Sequence, residues 1–494
     1  MTLAEGEKGP VFNDDVFRRA AAWIRDSGKF TPAMLRQQPA RDLIDETRRV
    51  LQQAIAAAIP VEIPGEITGA LENNAFVFSG LKTFHSLRQV GLSLLADDGT
   101  LKPFDRFRDD VARINDRYNH HYLRVEYNHA LAASTMAARW HDIEKDGDRY
   151  HLQYRTANDE KVRAEHQRLH LVTLPPSDPF WDKYLPPNGW NCRCTAVQVR
   201  PGKYPATDSQ QAIQAGDEIT DAPKQRMFRF NPGKQLKIFP DKHPYNKVPA
   251  PVKQVIEQIA EETIREKRVQ DMIAELPDNL TVEEKTAIAT HNLELEKALD
   301  LTKGKPMTVE QADKQHANPN HGKGREYNMN CQTCTPAYVL RARGFNVTAK
   351  PNTRGSKPDY LSRGMNAWEI WKNPDGTQAT HASVNDWLAS KKYIKMTEKR
   401  WMEYFNETCK ETGIYGLSIG WKRGGGHMTV LQRFPGGELR YIEPQHDNSK
   451  GSGRENHDLN FLAKNGKATQ ANCRGIMRID NKLFNMDFIE IFNK

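Results

Sequence analysis

GGGHMTVLQRFPGGELRYIEPQHD, residues Gly424 to Asp447, decides how the second half of the chain must fold. Apolar and polar residues alternate on either side of Pro435-Gly436-Gly437, the pattern of two antiparallel strands joined by a tight turn. The turn sets the register. With Gly436 at its centre, Phe434 faces Glu438 and His427 faces Gln445, so His427, Glu443 and Gln445 share one face at the open end of the hairpin. A one-residue slip would change all of these partners. The glycines before His427 leave room for a close backbone or substrate approach. An imidazole beside a carboxylate is the base-and-orienter half of a nucleophilic site.

The matching thiol lies upstream, in YNMNCQTCTPAYVLRARGFNVTAKPN, Tyr327 to Asn352. A helix is expected to end at Gly344, with a strand over Phe345 to Ala349. Two cysteines stand at the mouth of that helix. There a thiol meets the positive end of the macrodipole and unpaired N–H groups, which lower its pKa and offer donors to an oxyanion. Asn330 can cap a helix starting at Cys331. Thr335 followed by Pro336 can instead cap a later one and leave Cys334 just outside it. Competing readings are a buried inert thiol and a Cys-X-X-Cys metal or redox pair. Cys409 and Cys473 read as buried thiols, and Trp368, Trp371 and Trp387 as core.

Cysteine, histidine and an acidic residue, helix first and hairpin later, follow the chain order of papain-like folds. More closely, NCQTC with AYVLRARGFNVTAKP, then GHMTV and YIEPQ, resembles the papain-fold toxin domains of the glutamine deamidase type, over roughly Gly322 to Lys494. The resemblance implies an α+β papain-like domain with Cys331 as nucleophile, His427 as base and Glu443 as orienter. Cys334 is the alternative nucleophile, because Pro336 falls within the expected helix. Asn330 and Gln445 are implied as groups for the oxyanion or the substrate amide. Glu443 stands where aspartate is more usual. The implied reaction is thioester acyl transfer: attack on a glutamine carboxamide, loss of ammonia and hydrolysis to glutamate, with no cofactor or metal. A papain-like cysteine protease would use the same residues.

Upstream, Thr281 with Glu284 writes a capping box for a helix through Leu299, and the apolar residues from Val252 to Leu276 repeat at helical spacing. Between Pro201 and Pro251 apolar residues are sparse, which reads as a poorly packed tether. The first half reads as a helical body: a helix from Thr31 to Ile59 with Pro32 at its start, another through Phe76 to Leu94, and a long amphipathic one from Phe104 toward Trp140. His120, His121 and His129 on the last read as surface or core. Arg149 to Arg155 alternates as a strand.

ANDEKVRAEHQRLHLVTLPPSDPFWDKYLPPNGWNCRCTAVQV, Ala157 to Val199, cannot form one regular element, because its prolines break both helices and ladders. It must be a folded loop pinned by aromatics. DEKVRxxHxxLH, DPFW and PPNGWNCRC resemble the phage Mu protein F-like family of head morphogenesis or minor capsid proteins, over roughly the first two hundred residues. Phe228 to Tyr245 resembles an extension of some members. The family implies a protein near the portal inside a phage head, needed for assembly or for DNA packaging and ejection. Its implied partners are portal and head proteins and, through the toxin, a host protein and an immunity protein. His166 and His170 lie one helical turn apart, and Cys192 and Cys194 lie on one side of a strand, so four zinc-competent ligands exist. Packing alone can also hold such a loop, and that reading, without metal, is the expectation. Arg163, Arg168 and Arg193 are candidates to hold carboxylates in a protein interface.

The expected organisation is therefore multidomain. Residues 1–200 form a mainly α minor head domain with a Pro/Trp/Cys-rich loop, 201–320 an extension and helical linker, and 321–494 the α+β papain-like domain. Length and composition agree: 494 residues suggest about three domains, and 38% hydrophobic with 27% charged residues describes a folded chain. Lys+Arg 71 against Asp+Glu 63 leaves +8, too mild to argue for nucleic acid, although phage DNA stays a candidate partner. MTLAEGEKGP has no secretory pattern and no stretch has the apolar length of a spanning helix, so neither secretion nor membrane insertion is expected. The expected location is the virion or the cytoplasm of a lysogen, with delivery into a target cell as a further option.

Overall fold

A computed structural model describes residues 11–446, 458–467 and 473–494; Asp447 and the N-terminal stretch Met1 to Pro10 lie outside them. The chain forms two compact units, Met1–Ile264 and Arg265–Lys494.

The first unit is built on helices α1 (Asp14–Ser27), α2 (Gln38–Ala58), α3 (Gly65–Leu92), α4 (Phe104–Asn115) and α5 (Leu123–Asp146). Asn13 caps α1 by accepting from the Asp15 N–H, and Gly28, at φ 67°, closes it in the left-handed conformation that suits glycine. Phe17, Leu43, Leu51, Leu81 and Leu87 are buried in one core, each contributing roughly 1.5–3 kcal/mol of transfer free energy.

Two helices differ from their expected spans. Thr31 to Ile59 is a short turn of helix, Pro32–Arg36, then α2, with Gln37 extended between them. Pro39 explains the break: it lacks an N–H to continue the ladder and belongs in the first turn of a new helix. The long helix from Phe104 is interrupted at Asp116–Tyr122 by a wider, π-type stretch that links α4 to α5.

After α5, strand β1 (His151–Arg155) pairs antiparallel with both β2 (Thr173–Leu174) and β3 (Thr195–Val199). Phe180, Trp181 and Tyr184 pack into the core beneath them, the aromatic pinning expected of this loop. The tether reading of residues 201–250 is overturned. Ser209–Ile219 is a helix, and Phe228, Phe230, Ile238 and Phe239 are buried. Phe239 stacks on Phe78 with centroids 3.6 Å apart. Helix α6 (Ala250–Glu275) then buries Val252, Ile256 and Ile259 in the same core. Gly80 accommodates it, since a Cβ there would lie 2.5 Å from Ile256.

In the second unit, helix α7 (Val282–Leu299) starts at the expected capping box: Thr281 and Glu284 exchange side-chain to backbone bonds of 2.9 and 3.1 Å. Helix α8 (Cys331–Ala342) follows. The Asn330 carbonyl accepts from the Thr333 and Cys334 N–H groups, so the later start at Thr335 is not adopted and Pro336 lies inside the helix. Gly344 turns the chain at φ 106°, where a Cβ would meet the Gly304 carbonyl at 2.3 Å. The strand expected from Phe345 is limited to β4 (Thr348–Ala349), because the Val347 N–H turns back to Phe345.

The main sheet contains β5 (Ala382–Ser383), β6 (Gly413–Trp421), β7 (Gly426–Arg433), β8 (Leu439–Ile442), β9 (Gly466–Lys467) and β10 (Gly475–Arg478). Its order is β5-β10-β6-β7-β8, all antiparallel, with β9 also paired to β6. Arg433 lies opposite Leu439 and Val430 opposite Ile442, the register read from the turn. Met428 and Val430 join the core that holds α8, while Leu431 and Tyr441 face the core of helix α9 (Glu398–Thr408). Trp368, Trp371, Cys409 and Cys473 are buried and Trp387 is partly buried. Among the described residues, no helix is long and apolar enough to cross a membrane.

Candidate active site

The β7–β8 hairpin and the front of α8 meet at one cleft. The ladder ends at Ile442, and beyond it Glu443 accepts from His427 Nε2 at 2.7 Å. Both side chains are buried, 6% and 1% exposed. The same carboxylate accepts from the Tyr441 hydroxyl, and its other oxygen accepts from the Gln445 N–H at 3.1 Å. The buried carboxylate is thus solvated by the protein. Nε2 is committed to Glu443, which leaves Nδ1 for the thiol; Cys331 lines the same cleft as His427, with its Sγ 3.6 Å from Gln332 Oε1.

The electrostatics separate the two cysteines. Burial opposes ionisation of Cys331, but the neighbouring His427 outweighs it and holds the thiol below its ordinary pKa. Burial likewise opposes the charged imidazole, yet Glu443 and Cys331 together raise His427 above its usual range. Glu443 is held low by the imidazolium and the Tyr441 hydroxyl, against its own burial. Cys334 is 0% exposed, and burial together with the charges of Cys331 and Glu443 pushes its thiol well up. It sits in the core one turn into the helix, whereas Cys331 is half-buried and lines the cleft.

The cleft encloses about 430 Å³ and is lined by Cys331, Trp421, His427, Gln445, His446 and Arg474, among others. The first amides of α8, those of Cys331 and Gln332, have no intrahelical acceptor by helix geometry and stand beside the sulfur, the position an oxyanion site requires. A low-pKa thiol, a base and an orienting carboxylate within one wall form the arrangement of a covalent acyl-transfer centre.

The two amide residues singled out in the sequence differ in placement. Gln445 lines the cleft, with its side chain 3.3 Å from Asn330. Asn330 is fully buried and donates to Asn318 and to the Lys350 carbonyl, so it braces the front of the helix instead of facing substrate. Sequence reasoning missed Tyr441, Trp421, His446 and Arg474. Tyr441 was accessible by the same alternation that placed Glu443, two residues on. Trp421 stands on β6, a strand whose pairing with β7 the hairpin turn does not fix; its ring lies 5.8 Å from that of His427. His446, also 5.8 Å from the His427 ring, brings a third potential ligand near His427 and Glu443.

In the other unit, His166, Cys192 and Cys194 converge, with His166 Nδ1 3.6 and 3.5 Å from the two sulfurs. His170 does not join them; its Nδ1 is 3.0 Å from the Thr156 hydroxyl. The helix Ala164–Gln167 ends before His170, and the Leu169 and His170 N–H groups bond three residues back, to His166 and Gln167, so the spacing of a continuing α-helix is lost. The arginines proposed for an interface are engaged internally: Arg163 with the Trp190 carbonyl, Arg168 with Glu218 and Arg193 with Asp159. His129 is buried and bonded to the Ile238 carbonyl, while His120 and His121 pair with Asp14 and Asp116.

Comparison with known proteins bears on this first unit. Residues 104–197 match the family described as Phage Mu protein F like protein. The putative capsid assembly protein F of Escherichia phage Mu is 39% identical over 73 residues, 15% of this chain and 17% of that protein. The Mu-like prophage FluMu F protein of Haemophilus influenzae is 33% identical over 86 residues, 16% of this chain and 21% of that protein. The similarity therefore spans about a fifth of these relatives or less, and it is narrower than the first two hundred residues. No solved structure matches the chain. From α4 to β3, the stretch that carries the His166–Cys192–Cys194 cluster, the chain is similar to the Phage Mu protein F-like proteins.

Proposed function

We propose that this is a phage or prophage head-associated protein whose C-terminal unit is a cysteine-dependent protein-glutamine deamidase with a papain-like arrangement. The head-associated half rests on the Mu F-like segment and on the capsid assembly role in the name of its relative from phage Mu. Portal and head proteins are the corresponding partners. The catalytic half rests on one observation, that Cys331 and the Glu443-bonded His427 line one cleft, where the imidazole draws the thiol pKa down.

The Cys331 thiolate adds to the carboxamide carbon of a glutamine side chain, and the oxyanion is met by the first amides of α8. His427 delivers a proton to the departing nitrogen, which leaves as ammonia, and a thioester to Cys331 remains. His427 then takes a proton from water, which adds to the thioester; collapse returns the thiol and a glutamate. Glu443 keeps the imidazole oriented and stabilises its cationic form throughout. A host protein is the substrate class, and a small immunity protein is the partner that would restrain the enzyme.

The test is intact-mass analysis and peptide mapping of host proteins incubated with the full chain. A gain equal to one amide-to-acid exchange, without cleavage and absent with Cys331→Ala, supports the reading. Fragments would assign a protease instead. No change with the wild-type chain would leave a structural head protein with a binding domain.

A further inference from the structure

The cluster His166, Cys192 and Cys194 serves no step of the reaction above. His166 projects from the short helix Ala164–Gln167, and the two cysteines stand on the run into β3, 26 and 28 residues further along. All three side chains are buried, and their ligand atoms lie within 4.8 Å of one another.

We infer that His166 Nδ1, Cys192 Sγ and Cys194 Sγ hold a zinc ion that clamps the proline- and tryptophan-rich loop onto β3. The distances carry the inference. Tetrahedral zinc with sulfur at about 2.3 Å and nitrogen at about 2.0–2.1 Å fixes each S···N edge at about 3.5–3.6 Å. The two edges here are 3.6 and 3.5 Å. Hydrogen bonding accounts for them less well. A hydrogen bond at Nδ1 needs only one sulfur in range whichever tautomer is present, whereas a cation shared by three donors places both sulfurs at equal range.

The donor chemistry selects the metal. Two thiolates and an imidazole are soft and borderline ligands, suited to zinc and unsuited to magnesium or calcium. Binding displaces the two thiol protons, and two thiolates with a divalent ion leave the buried cluster neutral. The fourth position faces a cavity of about 140 Å³ lined by Lys161, Arg163 and Asn191 together with the three ligands. This is room enough for a water as fourth ligand.

The experiment uses the full chain, purified under reductant after zinc loading. Elemental analysis is expected to find one zinc per chain, and the cobalt-substituted protein to show thiolate charge-transfer bands. X-ray absorption should give two sulfurs and one imidazole nitrogen around the metal. His166→Ala, Cys192→Ser and Cys194→Ser should each lose the zinc, while His170→Ala and the double variant Cys331→Ala/Cys334→Ala keep it. Because a ligand variant can misfold, the spectroscopic measurements on wild-type protein stand alone. Absence of stoichiometric zinc from the reduced wild type, cobalt bound without thiolate bands, or zinc retained in a folded His166→Ala chain would overturn the inference.

Discussion

The two units each bring cysteine and histidine together, and the third member decides what the pair can do. Beside His427 stands a carboxylate whose oxygens are filled by Tyr441 and the Gln445 N–H, so a charged imidazole is stabilised and the Cys331 thiol is drawn toward thiolate. Beside His166 stand two sulfurs at equal range, a geometry suited to a cation. One cluster opens onto a cleft of about 430 Å³ at a helix mouth; the other lies buried beside a cavity of about 140 Å³. The chemistry of a Cys–His pair is therefore set by its neighbours more than by the pair itself.

The largest expected effect is at the nucleophile. Cys331→Ala should lower deamidase turnover by about 10⁴-fold or more, while Cys334→Ala leaves it close to wild type, as measured by ammonia release. Equal loss in both would break the distinction between a cleft thiol and a core thiol. Glu443→Gln comes next, with a loss of about 10²–10⁴-fold in kcat.

The same substitution also moves the pH profile. In the wild type the active thiolate–imidazolium pair exists between a lowered thiol pKa and a raised imidazole pKa, so kcat/KM falls only above the His427 transition on the alkaline side. Glu443→Gln removes the charge that raises His427. The imidazole then loses its proton at lower pH, and the alkaline limb should shift toward neutrality. An unmoved limb would show that Glu443 does not govern the imidazole. Tyr441→Phe deletes one donor to the carboxylate and should cost about tenfold or less, with the alkaline limb shifted slightly in the direction opposite to Glu443→Gln, because a less satisfied carboxylate attracts the imidazolium more strongly. The smallest effect is none: a chelator that strips the N-terminal zinc should leave deamidase turnover unchanged, and loss of turnover would mean that the metal belongs to the catalytic unit.

How much of this was legible in the sequence varies with how local each determinant is. Pro435-Gly436-Gly437 and strict alternation fix the hairpin register, so His427 and Glu443 could be placed together from sequence alone. The front of α8 was ambiguous because Asn330 and Thr335 are both competent caps; tertiary bonds from Asn330 to Asn318 and Lys350 favour the earlier start. Tyr441 was overlooked although the same register arithmetic reaches it, while Trp421 stands on β6, a strand whose pairing the hairpin turn does not fix. Residues 201–250 misled for another reason. Phe228, Phe230, Ile238 and Phe239 are too few and too irregular to show a period, yet each is buried, because aromatic anchors fix a segment without a repeating face. His170 was grouped with His166 by helical spacing, but the helix ends at Gln167 and tighter turns carry the chain through His170.

The central claim, that Cys331 is a thiolate activated by His427, is tested most directly by the pH dependence of iodoacetamide alkylation, mapped to each cysteine by mass spectrometry. Cys331 should react first among the six cysteines, at a rate already high well below the ordinary thiol pKa of about 8.5, and His427→Ala should return its midpoint toward that value. Alkylation of Cys331 with an ordinary thiol midpoint that His427→Ala leaves unmoved would contradict the account.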